Sequence, residues 1–181
     1  MNYADIRPID VANGPGIRVS LFVSGCTHHC KECFNPETWD FFYGTPFGPE
    51  QEEEILAHLS KPYIRGLSLL GGEPFEPQNQ GAVLALVERV RERLPDRDVW
   101  CYSGYLFEDL LAGRVGKQGR ALLERLDVLV DGPFVLERKN LSLRFRGSEN
   151  QRLIHVPKSL KAGAVVLWEP DESGDFCNQP P

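Results

Sequence analysis

Three closely spaced cysteines are the residues of this sequence with the clearest capacity for chemistry. Cys26, Cys30 and Cys33 are arranged as C-x-x-x-C-x-x-C. A short loop with this spacing can place three thiolates at three corners of a 4Fe–4S cluster. The fourth iron then stays open for a substrate or cofactor, as an open position does in a catalytic metal site. The spacing therefore indicates a cluster that takes part in a reaction.

Two alternatives to a three-cysteine cluster remain open at this point. The first is a zinc site with His28 or His29 as fourth ligand, although zinc sites usually combine C-x-x-C pairs that lie further apart. The second is a fourth cysteine ligand, Cys101 or Cys177. Cys101 lies in an apolar strand pattern, which predicts a small buried side chain, and Cys177 lies in a polar tail. Beside an iron–sulfur cluster, both histidines are expected to be solvated loop residues, with a supporting role near the cluster as the lesser alternative.

The cysteines must be positioned by regular elements that precede and follow them. Apolar runs predict strands at 18–24, 66–70, 98–102 and 127–130, with two last strands at 152–156 and 164–168. Helices are predicted at 49–59, 78–94, 106–111 and 119–126. This alternation indicates an α/β fold, either an open, mostly parallel sheet or a small partial (β/α) barrel. Such sheets bind ligands at their C-terminal strand ends, where the loops at 25–35, 71–75, 103–105 and 131–134 would converge.

Length and composition limit the classes of protein to consider. The chain has 181 residues, which predicts one domain at 1–168 and an acidic, proline-ended tail at 169–181 that is expected to be disordered. It contains no long apolar run and begins without a signal-peptide pattern, so we expect a cytoplasmic protein that does not enter a membrane. The net charge of −6 argues against nucleic acid as a partner.

Two motifs in this order resemble the radical S-adenosylmethionine superfamily. The cysteine motif follows the first predicted strand, and L-L-G-G-E-P at 69–74 follows the second. Residues 11–35, V-A-N-G-P-G-I-R-V-S-L-F-V-S-G-C-T-H-H-C-K-E-C-F-N, are similar to the small activases of glycyl-radical enzymes. Three later strings, Y-S-G-Y at 102–105, V-L-V-D-G-P-F at 128–134 and R-G-S-E-N-Q-R at 146–152, are similar to the activases of the anaerobic (class III) ribonucleotide reductase. The resemblance covers residues 1–156.

The resemblance implies an oxidoreductase with a defined cofactor set. The three cysteines would hold a 4Fe–4S cluster whose open iron binds the amine and carboxylate of S-adenosylmethionine. A flavodoxin-like or ferredoxin-like donor would reduce the cluster. The cofactor would then split into methionine and a 5′-deoxyadenosyl radical, which removes a hydrogen atom from a glycine of the partner enzyme.

The resemblance also implies which residues contact S-adenosylmethionine. Gly71 and Gly72 would let the cofactor amine approach the backbone, and Glu73 would accept a charge-assisted hydrogen bond from it. Ser103 and Asp131 follow the third and fourth predicted strands, where contacts with the cofactor's carboxylate or ribose, or with a cation, would fall. For Ser103 and Asp131, an ordinary turn residue is a serious alternative.

A basic stretch at 137–161 is either a solvated face or a docking surface for the partner protein. Arg146 and Asn150 are its candidate contact residues, together with Asn13. Asn13 stands where the pyruvate formate-lyase activases have aspartate, which favours the reductase group.

The chain departs from many superfamily members because Glu32 precedes the third cysteine and the aromatic residue, Phe34, follows it. Adenine contacts near the cluster are therefore not assigned.

Two other functions remain as alternatives. One is the activase of another glycyl-radical enzyme, such as the pyruvate formate-lyase type. The other, from a different class, is a non-catalytic iron–sulfur or zinc module that senses redox state. Only the catalytic functions give a reason for Gly71-Gly72-Glu73.

Overall fold

The central strands of the sheet are buried apolar runs, and they set the architecture. A computed structural model of the protein describes residues 1–170. It contains seven strands, namely β1 (Asn2–Asp10), β2 (Ile17–Val23), β3 (Thr45–Pro46), β4 (Ile64–Gly71), β5 (Asp98–Tyr102), β6 (Val128–Asp131) and β7 (Arg152–His155). They form one sheet in the order β3-β1-β2-β4-β5-β6-β7. β2, β4, β5 and β6 are parallel, whereas β1, β3 and β7 pair antiparallel with their neighbours.

Within residues 1–170, five α-helices accompany the strands, namely α1 (Pro49–Leu59), α2 (Pro77–Arg93), α3 (Phe107–Leu111), α4 (Gly119–Leu123) and α5 (Val156–Ala162). α2 buries an apolar stripe of Val83, Val87 and Val90. None of the helices in residues 1–170 is long and apolar enough to cross a membrane.

Alternate residues of the strands face two different environments. Val19 of β2, Leu67 of β4 and Val99 of β5 belong to the main core, which the helices cover. Their neighbours along the strands face the other side, as expected from the two-residue period of a strand. There Trp100, Val128 and Val130 form a second, smaller core, against which partly buried residues of loops and strands pack. This second face carries the candidate site.

The sequence predicted the α/β class and the four parallel strands, and the structure confirms both. It did not predict β1, β3 or α5, and it placed the end of α4 at 126, whereas that helix ends at Leu123. The strand predicted at 164–168 is wrong, because only an isolated bridge between Ile154 and Leu167 forms there. The tail predicted at 169–181 lies largely outside the described residues, as does Cys177.

Candidate active site

A cavity of about 560 Å³ opens at the C-terminal ends of β2, β4 and β5. It is lined by most of the residues that the sequence predicted for the site, namely Asn13, Cys26, Cys30, Cys33, Gly71, Gly72, Glu73, Ser103 and Arg146. Asp131 and Asn150 are not among the lining residues. The fold therefore brings the cysteine loop and the Gly-Gly-Glu turn together, as predicted.

The cysteine loop is shaped by backbone contacts on both sides. Gly25 N–H donates to the Thr38 carbonyl at 2.8 Å, and Cys33 N–H donates to the Cys30 carbonyl at 3.1 Å. Within the loop, His29 and Glu32 have φ angles of 48° and 58°, in the left-handed region that residues other than glycine rarely adopt. Strain of this kind persists only where surrounding contacts hold it, and it is frequent at functional sites.

The three thiols of the loop are free and fit an iron–sulfur cluster. Burial raises the pKa of Cys26 to about 12 and also raises the pKa of Cys30. Metal ligation requires thiolates, so binding of iron would release these protons. Residues 1–170 contain no group of three His, Cys, Asp or Glu side chains close enough to share one metal ion. A 4Fe–4S cluster does not need such a group, because each thiolate binds a different iron.

The Glu73 carboxylate is 1% exposed and joins three parts of the site. Its Oε1 accepts hydrogen bonds from Phe75 N–H at 2.8 Å and from the Ser103 hydroxyl at 3.0 Å. Its Oε2 accepts from Gly104 N–H at 2.7 Å and lies 3.0 Å from Nε2 of His28. The side chain thus links the cysteine loop to the loop after β5. Its predicted hydrogen bond to a cofactor amine stays a prediction.

His28 is not the solvated residue that the sequence suggested. Its side chain is 19% exposed, and its ring lies against Tyr105 with the centroids 4.5 Å apart. The hydrogen bond to Glu73 raises the pKa of His28, against the opposing effect of burial. A Cβ on Gly104 would come within 2.5 Å of the ring. His28 therefore fills the space between the cysteine loop and the loop after β5.

Glu76 supports the cysteine loop, and it is not among the residues predicted from the sequence. It is 4% exposed, and its Oε1 accepts hydrogen bonds from the backbone N–H of Thr27 at 2.8 Å and from the Thr27 hydroxyl at 2.5 Å. Thr27 follows the first cysteine directly. The string E-P-F-E at 73–76 places two carboxylates three residues apart, and this spacing was the available signal. Glu73 and Glu76 hold consecutive residues of the cysteine loop.

The two glycines of the turn are required by the packing of the protein backbone. Gly71 has a φ of +103°, and a Cβ there would lie 2.8 Å from the Val23 carbonyl oxygen. A Cβ on Gly72 would lie 2.6 Å from the Gly25 carbonyl oxygen. From the sequence alone, both glycines are expected to let a ligand approach the backbone. The structure gives a second reason, which is the close contact between the turn and the start of the cysteine loop.

Ser103 and Asp131 have different positions relative to the cavity. Ser103 lines it and donates its hydroxyl to Glu73. Asp131 is fully buried, and its Oδ1 and Oδ2 accept from Arg152 at 2.9 and 2.5 Å, while Oδ2 also accepts from Phe107 N–H at 2.8 Å. This geometry gives Asp131 an ion pair within the protein, and a contact with the cofactor stays an untested prediction.

The candidate partner residues differ in position, because Asn13 and Arg146 line the cavity whereas Asn150 does not. Asn13 donates its amide to Asp10 at 2.6 Å, and Arg146 donates to the Gln151 carbonyl at 2.7 Å. Asn150 donates to the Pro133 carbonyl at 2.8 Å, and this hydrogen bond joins the two ends of the segment between β6 and β7. Arg152 belongs to the predicted basic stretch, but it forms ion pairs with Asp131 and Glu108 within the protein. The stretch is therefore not one continuous docking face.

The mouth of the cavity carries exposed apolar side chains that sequence reasoning did not assign. Leu141 is 84% exposed and Phe34 is 64% exposed, and both line the cavity. The Phe34 ring lies against Phe134, with centroids 5.5 Å apart, and the Lys139 ammonium lies 5.5 Å from the centre of the Phe34 ring. An exposed apolar rim of this kind is typical of a binding site.

Comparisons with known proteins define the class and then the family. A family model described as a 4Fe-4S single cluster domain matches residues 12–154, which makes this chain an iron–sulfur protein of the single-cluster kind. Anaerobic ribonucleoside-triphosphate reductase-activating proteins are similar over nearly their whole length. The protein from Vibrio cholerae is 48% identical over 157 residues, covering 86% of this chain and 97% of its own.

The corresponding protein from Escherichia coli K12 is 42% identical over 158 residues, which cover 86% of this chain and 99% of its own. The one from enterobacteria phage T4 is 45% identical over 155 residues, which cover 84% and 93%. The chain belongs to the family of anaerobic ribonucleoside-triphosphate reductase-activating proteins.

Proposed function

We propose that this protein cleaves S-adenosylmethionine reductively at a 4Fe–4S cluster and generates a glycyl radical on an anaerobic ribonucleotide reductase. The observation that carries the proposal is the shared cavity, in which three free thiols and the Gly-Gly-Glu turn face one another. The family assignment supports the same function, because the similar proteins are named as activators of this reductase. The names also favour it over a pyruvate formate-lyase activase.

Each part of the cavity has a task in this function. Cys26, Cys30 and Cys33 would hold the cluster. When bound, the cluster and S-adenosylmethionine supply the electron transfer and the hydrogen abstraction that the side chains of the protein do not. Gly71, Gly72 and Ser103 would contact the cofactor, as the resemblance implies, and the covering loops would exclude water from the reacting centre.

The mouth of the cavity is suited to a segment of another protein. Phe34 and Leu141 offer apolar contacts, and Arg146 and Lys139 add positive charge at the same edge. A segment with a glycine at its tip would suit this cavity, because glycine carries no side chain. We propose that Asn13, Arg146 and Asn150 contact this segment or fix the loops that do.

The proposal also includes an electron donor and a location in the cell. A small flavodoxin-like or ferredoxin-like protein would reduce the cluster. The four cysteines in residues 1–170 are all free. Free thiols are typical of the cytoplasm, where disulfides rarely persist, and this supports a cytoplasmic location.

The first test is cofactor cleavage by the reconstituted protein under anaerobic conditions. S-adenosylmethionine and dithionite are added, and 5′-deoxyadenosine is measured by chromatography, with Cys30→Ala as the control. Product from the native protein alone would establish reductive cleavage. No product from a protein with a full iron load and bound cofactor would contradict the proposal and favour a sensing module.

The second test addresses the partner. The native protein is incubated with an anaerobic ribonucleotide reductase under reducing conditions, and the glycyl radical is measured by electron paramagnetic resonance. A pyruvate formate-lyase serves as the competing substrate. A radical on the lyase and none on the reductase would contradict the assignment of the partner while leaving cofactor cleavage intact.

A further inference from the structure

The segment at 164–168 lies beyond the residues that match the iron–sulfur family model, yet it packs beside the cavity. Its backbone is attached to the edge of the sheet, because Trp168 N–H donates to the Leu153 carbonyl at 2.8 Å and His155 N–H donates to the Val166 carbonyl at 2.9 Å. A second attachment runs through Ser159, whose hydroxyl accepts from Val166 N–H at 2.9 Å. These contacts fix the backbone that carries the Trp168 side chain.

The Trp168 ring completes a cluster of three aromatic rings. Its centroid lies 4.9 Å from that of Trp100 and 6.4 Å from that of Phe145, with interplanar angles of 75° and 68°. Trp100 and Phe145 are themselves 5.5 Å apart at 79°. All three pairs have the edge-to-face geometry that aromatic rings prefer. Trp100 is a buried residue of β5, so the cluster anchors Phe145 to the sheet.

Phe145 belongs to the loop that forms the far wall of the cavity. It lines the cavity together with Leu143, Arg146 and Gly147. Its φ of 59° lies in the left-handed region, where a bulky side chain is strained. The next two residues of the loop, Arg146 and Gly147, donate hydrogen bonds to Gln151. The Phe145 ring itself contacts Trp100 and Trp168. A strained residue keeps its conformation only when its surroundings enforce it.

We propose that Trp168 is a positioning residue that holds Phe145 and, through it, the loop at 138–147 as a wall of the cavity. Trp168 does not line the cavity, so its effect passes through the Phe145 ring. The proposal concerns the shape of the protein and does not depend on the reaction proposed above.

Limited digestion with trypsin of the full chain without cofactor tests the proposal. The loop contains four trypsin sites, at Arg138, Lys139, Arg144 and Arg146. Cleavage of a loop that opens transiently follows the population of its open form when closing is fast. For Trp168→Ala we expect cleavage in the loop to increase about tenfold, which corresponds to about 1.4 kcal/mol. Trp168→Phe should restore most of the protection, because it keeps an aromatic ring.

Matched variants separate this local effect from general destabilisation. Leu167→Ala removes a 56% exposed neighbouring side chain and should leave the cleavage rate of the loop unchanged. Phe145→Ala should increase loop cleavage as Trp168→Ala does, and the double variant should show little further increase. Unchanged loop protection in Trp168→Ala would overturn the proposal. Fully additive effects of Trp168→Ala and Phe145→Ala on loop cleavage would overturn it as well. The same holds if trypsin cleavage becomes faster by the same factor in α2 and in the loop, in both Trp168→Ala and Trp168→Phe.

Discussion

The Glu76 side chain is hydrogen-bonded to the cysteine loop at Thr27. It accepts two hydrogen bonds there, and hydrogen bonds to charged groups contribute about 1.5–3 kcal/mol each. In Glu76→Ala, the N–H and hydroxyl of Thr27 lose their acceptor beside the first cysteine. We expect the reconstituted variant to lose iron to a chelator several-fold faster than the native protein, as followed by its visible absorbance.

Glu37→Ala is the matched control for this experiment, because Glu37 is an exposed carboxylate in the short helical turn at Pro36–Trp39. Its iron should be lost at the native rate. Equal rates for Glu76→Ala and the native protein would contradict the role assigned to Glu76.

Gly72 is expected to tolerate no side chain. The Cβ of an alanine would meet backbone oxygen atoms of Gly25 and Thr38 at 2.6 and 2.9 Å, and backbone moves less readily than a side chain. Overpacking of this kind costs about 1–3 kcal/mol. Urea denaturation of the protein without cofactor should show a loss of this size for Gly72→Ala.

Gly81→Ala provides the comparison for Gly72→Ala. Gly81 lies inside α2, where alanine is favoured by about 1 kcal/mol, and its Cβ would meet only the end of the Gln118 side chain at 3.2 Å. We expect no loss of stability. A loss as large as that of Gly72→Ala would show that the backbone contacts at Gly72 are not the cause.

At the scale of elements, one buried ion pair connects β6 to β7. Asp131 and Arg152 are register partners in these strands, and Asp131 is fully buried. In Arg152→Met, the carboxylate stays buried without its partner, which costs about 3–5 kcal/mol. The expected result is a large shift of the urea midpoint. Arg93→Met removes an exposed pair with Glu53 and should cost less than about 1 kcal/mol.

Equal midpoints for the two arginine variants would contradict this account of the β6–β7 junction. A separate variant, Asp131→Asn, tests the sequence prediction that Asp131 contacts the cofactor. If Asp131 serves only the junction, Asp131→Asn should change stability more than it changes the affinity for S-adenosylmethionine.

The elements that the sequence predicted are those whose residue types match their burial. Every residue of β2 from Arg18 onward is buried, and the run is rich in β-branched and aromatic residues. β1 was missed because most of its residues are partly or fully exposed and it contains Pro8. α5 had readable signals, namely Pro157 at its start and Gly163, in the left-handed conformation, at its end. These signals did not lead to a predicted helix, because α5 is short and lies between the strands predicted at 152–156 and 164–168.

At the scale of the whole molecule, the meeting of the cysteine loop and the Gly-Gly-Glu turn could be predicted from the sequence. The position of the loop at 138–147, which forms another wall of the cavity, could not. The cysteine loop and the Gly-Gly-Glu turn follow parallel strands, and topology alone brings such loops together. Leu141 and Phe145 reach the cavity through a long loop without regular strands. No short-range pattern in the sequence specifies where such a loop packs. The contact of Trp168 with Phe145 was hidden for the same reason.

The exposed rim predicts a loss of partner binding that leaves the cluster in place. Leu141→Asp puts a charge on an 84% exposed side chain at the mouth of the cavity. If Leu141 is a main contact with the reductase, the Kd for that enzyme should rise about tenfold or more, since loss of a main interface contact costs over 1 kcal/mol. Binding is measured by calorimetry, with iron content as the control. An unchanged Kd would place the docking surface elsewhere.

The positions of the tryptophans have an optical consequence. The chain contains three tryptophans: Trp39 lines the cavity, Trp100 lies in the core beside it, and Trp168 contacts the ring of its wall residue Phe145. Iron–sulfur clusters absorb broadly where indole emits, so a cluster in the cavity is expected to quench tryptophans that lie at or near its wall. The intrinsic fluorescence of the protein should therefore fall as the cluster assembles and recover as it is lost. The protein carries its own label-free reporter of cluster content.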